Sequence, residues 1–388
     1  MRGLRTWIEI DRRALEHNFK AFLKLLTKQT RFMAVVKSNA YGHGLTLVAK
    51  QLANSKLETL NSKRVWFGVD SIVEALRLRE EGIKNSILVL GSTLPGRMKE
   101  VVEKGIILTV SSFESFEALV KLKFRPEFHI KIDTGMHRQG FLPEQVPKFI
   151  KLLKRFSAKG GSVSGGKLAP QGVYTHFASK DWGYPAYMEL QFEKFKKIVK
   201  QFQRAGFRKI ISHSAASDGT LLFPQAHLDM VRVGMGLYGY WPSWVAKVRH
   251  PSKMTLKPVL SWKTVVVEIK KIPKGAYVGY DLIEQVSRVT EIAVLPVGYW
   301  HGYDRGFSSI GEVLIRGKRA KVLGRVSMDM TVVDITDIPK VKVGDRVVLI
   351  GRQGREEIWA DEVALKIGTS QYEFLTRINP LIERIIVP

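Results

Sequence analysis

Cysteine is absent from this 388-residue sequence. The absence excludes a disulfide framework and a thiolate metal site, and it makes a reducing cytosol the natural setting. Long apolar runs are also missing, since none approaches the ~18–20 residues that a membrane-spanning helix needs. The N-terminus, MRGLRTWIEIDRR, has neither the apolar core nor the small-residue cleavage site of a secretory signal. We therefore predict a cytoplasmic protein that has no membrane partner.

Metal-binding patterns and acidic residues are scarce as well. The nine histidines form no HxxxH or HxH cluster, so we expect no bound metal. The 36 acidic residues are outnumbered by 62 lysines and arginines, which gives a net charge of +26. Such a balance suits nucleic-acid or membrane-surface binding, but the basic residues are scattered and alternate with apolar positions, as on solvated helix faces. We predict no nucleic-acid partner, and a basic proteome or the attraction of anionic metabolites is the simpler explanation.

What the sequence does contain, over its first two thirds, is an alternation of strand-like and helical patterns. Repeated βα units imply right-handed crossovers and a parallel sheet. Eight such units in about 210 residues fit a closed (β/α)8 TIM barrel better than an open sheet, and we predict this barrel over residues 11–248. The predicted strands are Arg31–Val36, Val65–Val69, Ser86–Leu90, Ile106–Val110, Glu127–Ile132, Gln171–Thr175, Lys209–Ser212 and Leu228–Val233.

The pattern changes beyond about His250, where alternating apolar and polar runs are separated by PKG, RGK and VGD turns. This predicts a C-terminal, mainly-β domain over residues 249–388, with one helix at Ala360–Ile367. The N-terminal strand 5–10, which contains TWIEI, is expected to join it. The predicted strands of this domain are Val259–Ile269, Thr290–Pro296, Glu312–Ile315, Ala320–Arg325, Met330–Ile335 and Arg346–Ile350.

Lys37 stands at the C-terminal end of the first buried strand, Arg31–Val36. The chain then turns through SNAYGHG before a helical pattern starts near Leu45. A lysine held at the mouth of a buried strand can have its ammonium desolvated, which makes it a usable nucleophile for aldehydes. A surface lysine at a loop edge is the alternative, and the strand-end position taken alone favours it.

Polar groups also follow four other barrel strands at the same end. In (β/α)8 enzymes the active site forms at the C-terminal ends of the strands. Each group alone could be a loop residue or a buried structural histidine, but their convergence on one rim favours an active site. The segments are Asp133–Arg138 after strand five, Thr175–His176 at strand six, Ser212–Ala216 after strand seven and Arg232–Met235 at strand eight.

These strings resemble the motifs of the alanine racemases. VVKSNAYGHG is similar to the cofactor-lysine signature of that family, and TGMHRQG, YTHF, VRVG, VGYDLIEQ and LGRVSMDM extend the resemblance from Trp7 to about Arg384. The family consists of fold type III isomerases that use pyridoxal 5'-phosphate (PLP) to interconvert L- and D-alanine. The resemblance therefore implies a PLP-dependent two-base racemase that supplies D-alanine for peptidoglycan. It also implies a homodimer whose active sites are shared between subunits.

The resemblance further implies which residues hold PLP. Lys37 would bind the cofactor covalently, and Arg232 would face its pyridine nitrogen, with His176 beside the ring. A guanidinium does not give up its proton near neutrality, so Arg232 would leave that nitrogen largely unprotonated. This suits a reaction in which a proton leaves Cα and is promptly returned. The phosphate would be bound by Tyr41, Ser214, Tyr372 and the backbone amides of Gly234 and Met235.

By the same resemblance, the second base is Tyr280 of VGYDLIEQ, on the face opposite to the cofactor lysine. A phenol is a weak base unless cations stabilise its anion, and Arg305 and Arg325 would supply them. Arg138 would bind the substrate carboxylate region and the phenolic oxygen of the cofactor. Lys131, which matches a lysine that is carbamylated in some relatives, would orient Arg138. The entrance and the carboxylate pocket would be lined by Tyr299, Met328 and Asp329.

Five residues depart from the family pattern. His137 stands where glycine is usual, and His213 stands where asparagine is common. Ser327 replaces a common cysteine, and Trp300 and His301 replace a typical Ala-Asp pair. Because the last three border the substrate pocket and entrance, they leave the substrate breadth open.

Three alternatives to an alanine racemase can be weighed. A PLP-dependent racemase of another or broader amino acid specificity is the nearest, although such racemases are often exported and disulfide-bearing. A non-catalytic PLP-binding protein made of the barrel alone would not need a β-domain that carries Tyr280. A decarboxylase of the same architecture would pair the pyridine nitrogen with a carboxylate instead of Arg232, and would draw on a cysteine that this sequence lacks.

Overall fold

The structure, a computed structural model, describes residues 3–53, 64–122, 126–158, 168–178, 185–249 and 254–388. Two units are distinguished by their internal packing. Glu16–Ala40 and Leu45–Lys257 form one, here called the barrel unit. The other, here called the β-unit, consists of Met1–Leu15, Tyr41–Gly44 and Pro258–Pro388. The short segment Tyr41–Gly44 thus interrupts the barrel unit in sequence, which a single boundary at residue 249 does not anticipate.

The strands of the chain begin with β1, Thr6–Asp11, which belongs to the β-unit. The next eight strands belong to the barrel unit and coincide with the eight predicted runs. They are short and buried, as parallel strands that are covered on both faces should be. Their bounds are β2 Arg31–Val35, β3 Val65–Val69, β4 Ile87–Val89, β5 Leu108–Val110, β6 Phe128–Lys131, β7 Gly172–Tyr174, β8 Ile211–His213 and β9 Met230–Val233.

The eight barrel strands close into a ring. All pairings are parallel, in the orders β4-β3-β2-β9 and β5-β6-β7-β8. A parallel bridge between Leu88 and Ile107 joins the two sheets on one side. On the other side the Asp229 amide donates to the Ser212 carbonyl over 3.1 Å. The predicted (β/α)8 barrel is therefore confirmed.

Helices follow the barrel strands, as the predicted alternation of strands and helices requires. Ser71 and Ser112 cap two of them by accepting hydrogen bonds from the amides of Glu74 and Ser115, as serine does at a helix N-terminus. The α-helices up to residue 249 are Arg12–Leu23, Leu45–Ala53, Ile72–Glu80, Met98–Glu103, Phe113–Val120, Val146–Ala158, Pro185–Arg204, Ser217–Leu222 and Trp244–Arg249. Short 3-10 turns lie at Pro95–Arg97, Pro143–Gln145, Pro224–Ala226 and Met235–Tyr238. Within the described ranges, no helix is both long and apolar enough to cross a membrane.

The β-unit is built on a sheet of mostly antiparallel strands in the order β11-β12-β15-β14-β13-β16-β10-β1-β18, with β17 paired to β16. This confirms the predicted mainly-β architecture. β1 pairs antiparallel with β10 and parallel with β18. The bounds are β10 Leu260–Val265, β11 Glu268–Ile272, β12 Thr290–Leu295, β13 Glu312–Ile315, β14 Lys318–Leu323, β15 Thr331–Asp334, β16 Arg346–Gln353, β17 Glu356–Ile358 and β18 Glu383–Val387.

Two details of the β-unit differ from the sequence prediction. The single predicted strand Val259–Ile269 is two strands, because the amide of Val266 bonds to Asp345 while the amide of Val267 bonds to Val294 on a different strand. A second helix, Gln371–Thr376, follows the predicted one, which spans Ala360–Lys366. The strands β17 and β18 and this second helix were not predicted.

Candidate active site

Lys37 lies just beyond β2, on the rim where the barrel strands end. Its Nζ donates to Asp70 Oδ1 over 3.1 Å, and the two side chains are 36% and 56% exposed. The ammonium is thus ion-paired and partly solvated in this chain and is not desolvated by the strand end. Sequence reasoning missed Asp70, although its position directly after β3 carries the same strand-end signal as Lys37.

The turn that follows Lys37 is left-handed. Ser38–Tyr41 are four consecutive non-glycine residues with φ between 52° and 55°, a conformation that costs about 1–2 kcal/mol per residue. Hydrogen bonds hold it in place: the Asn39 amide donates to Glu74 Oε1 (3.3 Å), and Asn39 Oδ1 accepts from the Leu45 amide (2.9 Å). Such strain persists where the surrounding contacts over-determine the backbone. It fixes the path of the chain between Lys37 and Tyr41.

Arg232 is buried on β9, in register with Met33 on the adjacent β2. Its Nη1 donates to His213 Nδ1 over 2.8 Å. Its Nη2 donates to the carbonyls of Thr175 (2.8 Å) and Ser214 (3.1 Å) and lies 3.2 Å from His176 Nδ1. The predicted proximity of Arg232 and His176 is therefore present in the structure.

Every acceptor around the Arg232 guanidinium is neutral. Within the described residues no carboxylate pairs with it, and burial lowers its pKa to about 10. The group is still charged at neutral pH. A guanidinium has five N–H donors, and Nε–H and one Nη1–H have no acceptor among the described residues. A buried cation with unused donors is suited to bind a ligand that carries acceptor atoms.

Two histidines beside Arg232 are held neutral. Burial, reinforced by the charge of Arg232, places the pKa values of His176 and His213 well below their ordinary range. A neutral imidazole presents one unprotonated nitrogen, which can accept a hydrogen bond from a guanidinium. Both rings are therefore acceptors for Arg232.

The loop after β6 is organised by Asp133. Its Oδ1 accepts hydrogen bonds from the amides of residues 135, 136 and 137 over 2.8–3.0 Å, and its Oδ2 accepts one from the Arg138 amide over 2.8 Å. Burial alone would raise the pKa of this carboxyl, but the four amides hold it below its ordinary value. The Arg138 side chain itself is exposed. His137, where the family has glycine, adopts a left-handed φ of 54°.

Lys131 is buried at the end of β6. Burial, and then the charge of Arg232, lowers its pKa well below the ordinary value. Its Nζ lies 4.8 Å from the centre of the Tyr174 ring. The described residues thus favour the neutral amine at this position.

The residues predicted to bind a phosphate fall into two groups. In the β-unit, the rings of Tyr41 and Tyr372 lie edge to face, with centroids 6.3 Å apart. In the barrel unit, Ser214 Oγ donates to the Ala226 carbonyl (2.9 Å). The Gly234 amide donates to Ser217 Oγ (3.0 Å), and Met235 begins the 3-10 turn Met235–Tyr238. The predicted donors Ser214 and Gly234 are therefore already engaged within the chain. Ser217, which was missed, belongs to the same HSAAS string.

In the β-unit, Tyr280 opens a short 3-10 turn, Tyr280–Leu282, and its side chain is 69% exposed. The next residue, Asp281, has a left-handed φ of 63°. Its Oδ2 pairs with Arg325 Nε (3.1 Å) and Arg305 Nη2 (3.5 Å). The two predicted supporting cations therefore converge on the neighbour of Tyr280, where they fix the backbone of this turn.

The remaining predicted residues of the β-unit lie on two loops that pair through their backbones. The Tyr299 amide donates to the Ser327 carbonyl, and the Trp300 amide donates to the Met328 carbonyl, both over 3.0 Å. The loops approach so closely at Gly298 that a Cβ there would overlap both carbonyls. Tyr299, Met328 and Asp329 are consequently brought together, and their side chains are exposed. Tyr299 and Arg305 also line a cavity of about 440 Å³.

The fold and these residues define a class of protein. A (β/α)8 barrel carries a lysine, buried arginine and neutral histidines at the C-terminal ends of its strands, where the active sites of barrel enzymes form. The chain also carries a separate β-unit with exposed polar and aromatic side chains on strained turns. This combination defines an enzyme built on a barrel and a β-domain.

Comparison with known proteins specifies the family. The sequence profile of the alanine racemase N-terminal domain matches residues 10–242, and that of the alanine racemase C-terminal domain matches residues 259–386. The chain is 37% identical over 391 residues to the alanine racemase of Leptospira interrogans serovar Lai, with 98% of this chain and 96% of that protein covered. It is 38% identical over 383 residues to the alanine racemase of Halothermothrix orenii, with 98% and 96% covered.

Solved structures agree. Alanine racemase from Bacillus anthracis with bound L-Ala-P superposes with a TM-score of 0.89 at 34% identity, covering 99% of this chain and 95% of that one. Alanine racemase from the D-cycloserine producer Streptomyces lavendulae gives a TM-score of 0.87 at 30% identity, covering 100% and 98%. The chain belongs to the alanine racemase family, and its relatives are isomerases.

Proposed function

We propose that this protein interconverts L-alanine and D-alanine with PLP as cofactor, by a two-base mechanism that uses Lys37 and Tyr280. The observation that carries the proposal is the buried Arg232 guanidinium, which lies on the strand next to the one that leads to Lys37. Its partners among the described residues are neutral and leave two donors unused. The pyridine nitrogen of PLP has a single lone pair, and it would accept a hydrogen bond from one of those donors.

Other residues of the site fit the rest of the cofactor. Lys37 is exposed enough to react with an aldehyde. Tyr41 and Tyr372 would bind the phosphate together with the amides at the start of the 3-10 turn of Met235, because N–H groups at a helix start lack intrahelical partners. Ser214 and Gly234 could contribute only by exchanging their present partners. Bound PLP would supply an electron sink for the charge that develops when the substrate loses its Cα proton.

The role of Arg232 follows from its chemistry. A guanidinium with a pKa of about 10 donates a hydrogen bond but keeps its proton at neutral pH. Arg232 therefore leaves the pyridine nitrogen largely unprotonated and limits how far negative charge is drawn away from Cα. Charge that stays near Cα favours rapid return of a proton over side reactions.

The two bases would act on opposite faces of Cα. The amine of Lys37 would move a proton on one face, with Asp70 as its partner before the substrate enters. The phenolic oxygen of Tyr280 would move a proton on the other face, and Arg305 and Arg325 would hold its turn through Asp281. A general base must come within ~3 Å of the proton it takes.

Substrate binding falls to residues of both units. Arg138, whose backbone is held by Asp133, would bind the carboxylate region and the phenolic oxygen of PLP. Lys131 would support Arg138, and its burial as a neutral amine suits carbamylation, because only the neutral amine attacks carbon dioxide. Tyr299, Met328 and Asp329 would line the entrance and the carboxylate pocket.

We further propose that the enzyme is a homodimer in which the partner's β-unit completes each site. The exposed side chains of the β-unit support this, because the described residues leave four aromatic or apolar side chains 44–69% exposed: Tyr280, Tyr299, Trp300 and Met328. Exposed apolar patches of this kind mark interaction surfaces. A two-fold axis would bring the same surface to both sites.

The setting of the enzyme is likewise a proposal. D-Alanine is a component of peptidoglycan, and we propose that the enzyme supplies it in the cytoplasm. The absence of cysteine supports a reducing compartment.

Reduction with borohydride tests the proposed cofactor chemistry. The purified protein should be yellow, and borohydride should remove the colour and leave a reduced cofactor adduct on Lys37, located by peptide mass spectrometry. An adduct on another lysine, such as the buried Lys131, would overturn the assignment.

A racemisation assay tests the substrate. The rate of interconversion should be highest for alanine across a panel of L-amino acids. Comparable rates for bulkier amino acids would replace the proposal with a racemase of broader specificity.

A further inference from the structure

Behind Arg232 lies a line of buried polar side chains that the proposed mechanism does not use. Arg232 Nη1 is 2.8 Å from His213 Nδ1, and His213 Nε2 is 2.8 Å from His129 Nδ1. His129 Nε2 is in turn 3.2 Å from Gln171 Oε1. Both histidines are completely buried. The line runs from β9 through β8 to β6 and ends just before β7.

The direction of every hydrogen bond in this line can be derived. A guanidinium only donates, so His213 Nδ1 must accept and carries no proton. A neutral His213 then carries its proton on Nε2 and donates it to His129 Nδ1. His129 must therefore carry its own proton on Nε2, which donates it to the side-chain amide oxygen Oε1 of Gln171. One tautomer of each ring satisfies the whole line.

The neutral state of both rings has a physical basis. Burial lowers the pKa of His129 to about 3, with Arg232 adding to the effect, and it lowers the pKa of His213 well below the ordinary value. Protonation of either ring would place a second cation beside Arg232 and break the line. The acceptor at His213 Nδ1 is consequently available across the neutral pH range.

Packing holds both rings in these orientations. The Tyr174 ring stacks on His213 with centroids 4.7 Å apart and planes 6° from parallel. A Cβ at residue 172 would overlap the His129 ring, so Gly172 makes room for it. The rings therefore cannot rotate without displacing neighbouring residues.

We propose that His213, backed by His129 and Gln171, is a positioning residue that sets the orientation of the Arg232 guanidinium. By accepting one Nη1 hydrogen, it helps to hold the guanidinium plane, and so fixes the directions of the Nε–H and second Nη1–H groups that have no acceptor among the described residues. The identity of the ligand that those groups would bind rests on the proposed function. The orientation of Arg232 does not, because every partner that defines it belongs to this chain.

A matched pair of substitutions separates positioning from simple filling of space. In His213→Asn, the amide Oδ1 can take the place of Nδ1 and accept from Arg232, although the link to His129 is lost. In His213→Leu, a side chain of similar shape offers no acceptor. The unpaired Nη1–H should let the guanidinium turn, and loss of a hydrogen bond to a charged group corresponds to roughly tenfold in affinity.

The first measurement is PLP affinity and the absorbance spectrum of the loaded protein, with the melting temperature as a control for folding. We expect His213→Leu to bind PLP roughly tenfold more weakly and to shift the absorbance band, and His213→Asn to stay within about threefold of wild type. If the folded Leu and Asn variants match each other in affinity and spectrum, His213 only fills space and the proposal is wrong.

A second measurement uses the wild-type protein, so it does not depend on whether a core variant folds. Histidine labelled with ¹⁵N in the wild-type protein, measured before and after PLP is added, reports which ring nitrogen carries the proton. We expect Nε2–H at both His213 and His129 from about pH 5 to pH 8. A proton on Nδ1 of either ring, or protonation of either within this range, would contradict the line of donors.

The outcomes also distinguish this inference from the proposed function. If wild-type protein does not bind PLP while both histidines carry their protons on Nε2, the proposed function is wrong. The hydrogen bonds that link Arg232 to His213 and His129 are then still supported. If wild type binds PLP and the Leu and Asn variants are alike, the positioning role fails and the proposed function stands.

Discussion

The predicted site residues of the barrel unit and those of the β-unit differ in their burial and in their contacts within the chain. The barrel-unit residues around Arg232 are buried and interlinked: Arg232 is 4% exposed, Ser214 is completely buried, and each has partners within its own unit. The β-unit residues around Tyr280 and Met328 are exposed to solvent, with these two side chains 69% and 55% exposed. The first group makes its contacts within the chain, whereas the second group leaves its side chains open to solvent.

The difference indicates how each group acquires its chemistry. Buried groups obtain shifted pKa values from their own surroundings, as the histidines beside Arg232 do. Exposed side chains remain hydrated unless another protein surface covers them. In the β-unit, the left-handed Asp281 next to Tyr280 is ion-paired with Arg305 and Arg325. We interpret the β-unit residues as held in place for a partner subunit.

The largest effects should come from the two proposed bases, and they should differ in kind. Lys37→Ala should lose both covalent PLP and turnover. Tyr280→Phe should lose turnover by about 10²–10⁴-fold, as expected for a missing general base, but should keep PLP on Lys37. The measurements are racemisation rates and the absorbance of extensively dialysed protein. Release of PLP by Tyr280→Phe would contradict the assignment of cofactor retention to Lys37 and of proton transfer alone to Tyr280.

Substituting the buried cation should change the course of the reaction. In Arg232→Glu a carboxylate would hold a proton on the pyridine nitrogen, which strengthens the electron sink. Racemisation should slow by about 100-fold or more, with a new long-wavelength absorbance and transamination products. Arg232→Lys, which keeps the positive charge, is the matched control and should form fewer such products. A wild-type rate with no new absorbance would refute our interpretation of Arg232.

Acid should lower the free energy of unfolding of the barrel unit through the buried His129. The pKa of His129 is about 3 in the folded chain and ~6.5 when unfolded, so the unfolded chain binds more protons between these values. The free energy of unfolding should therefore decrease as the pH falls below about 6.5, by ~3 kcal/mol for His129 by pH ~4.5. The stability that the neutral His129 contributes is fully present above pH 6.5. Calorimetry of wild type and His129→Gln should show a shallower acid dependence for the variant, and equal slopes would contradict it.

The smallest effect concerns His137 in the loop after β6. Its left-handed φ of 54° costs about 1 kcal/mol or slightly more for a side chain with a Cβ. His137→Gly removes this strain but adds glycine's larger loss of backbone entropy on folding, ~0.5–1 kcal/mol, so it should raise the unfolding free energy by at most ~1 kcal/mol. Gln139→Gly, in the same loop but outside the left-handed region, should instead lower it by ~0.5–1 kcal/mol. Thermal unfolding compares the two, and a loss of stability in both variants would mean that His137 makes a contact that offsets its strain.

The sequence was informative where a rule depends on position alone. Strand-end placement located Lys37, the Asp133 loop and Arg232, because strand ends of a barrel must share a rim. The left-handed turn after Lys37 was hidden, because its four residues include no glycine. The pairing of His129 with His213 was hidden too, because the two residues are 84 positions apart in the sequence and a buried histidine has no periodic signal. The break after β10 came from a change of strand partner, which no local pattern encodes.

The central claim, that each site takes Lys37 from one subunit and Tyr280 from the other, is tested most directly by mixing two inactive variants. Lys37→Ala and Tyr280→Phe proteins are combined, allowed to exchange subunits, and assayed for racemisation, with exchange verified by mass. A mixed dimer has one doubly damaged site and one intact site, and half of the dimers are mixed. The shared-site arrangement therefore predicts recovery of about 25% of wild-type activity. No recovery, despite verified exchange, would place both bases on one chain and contradict the account.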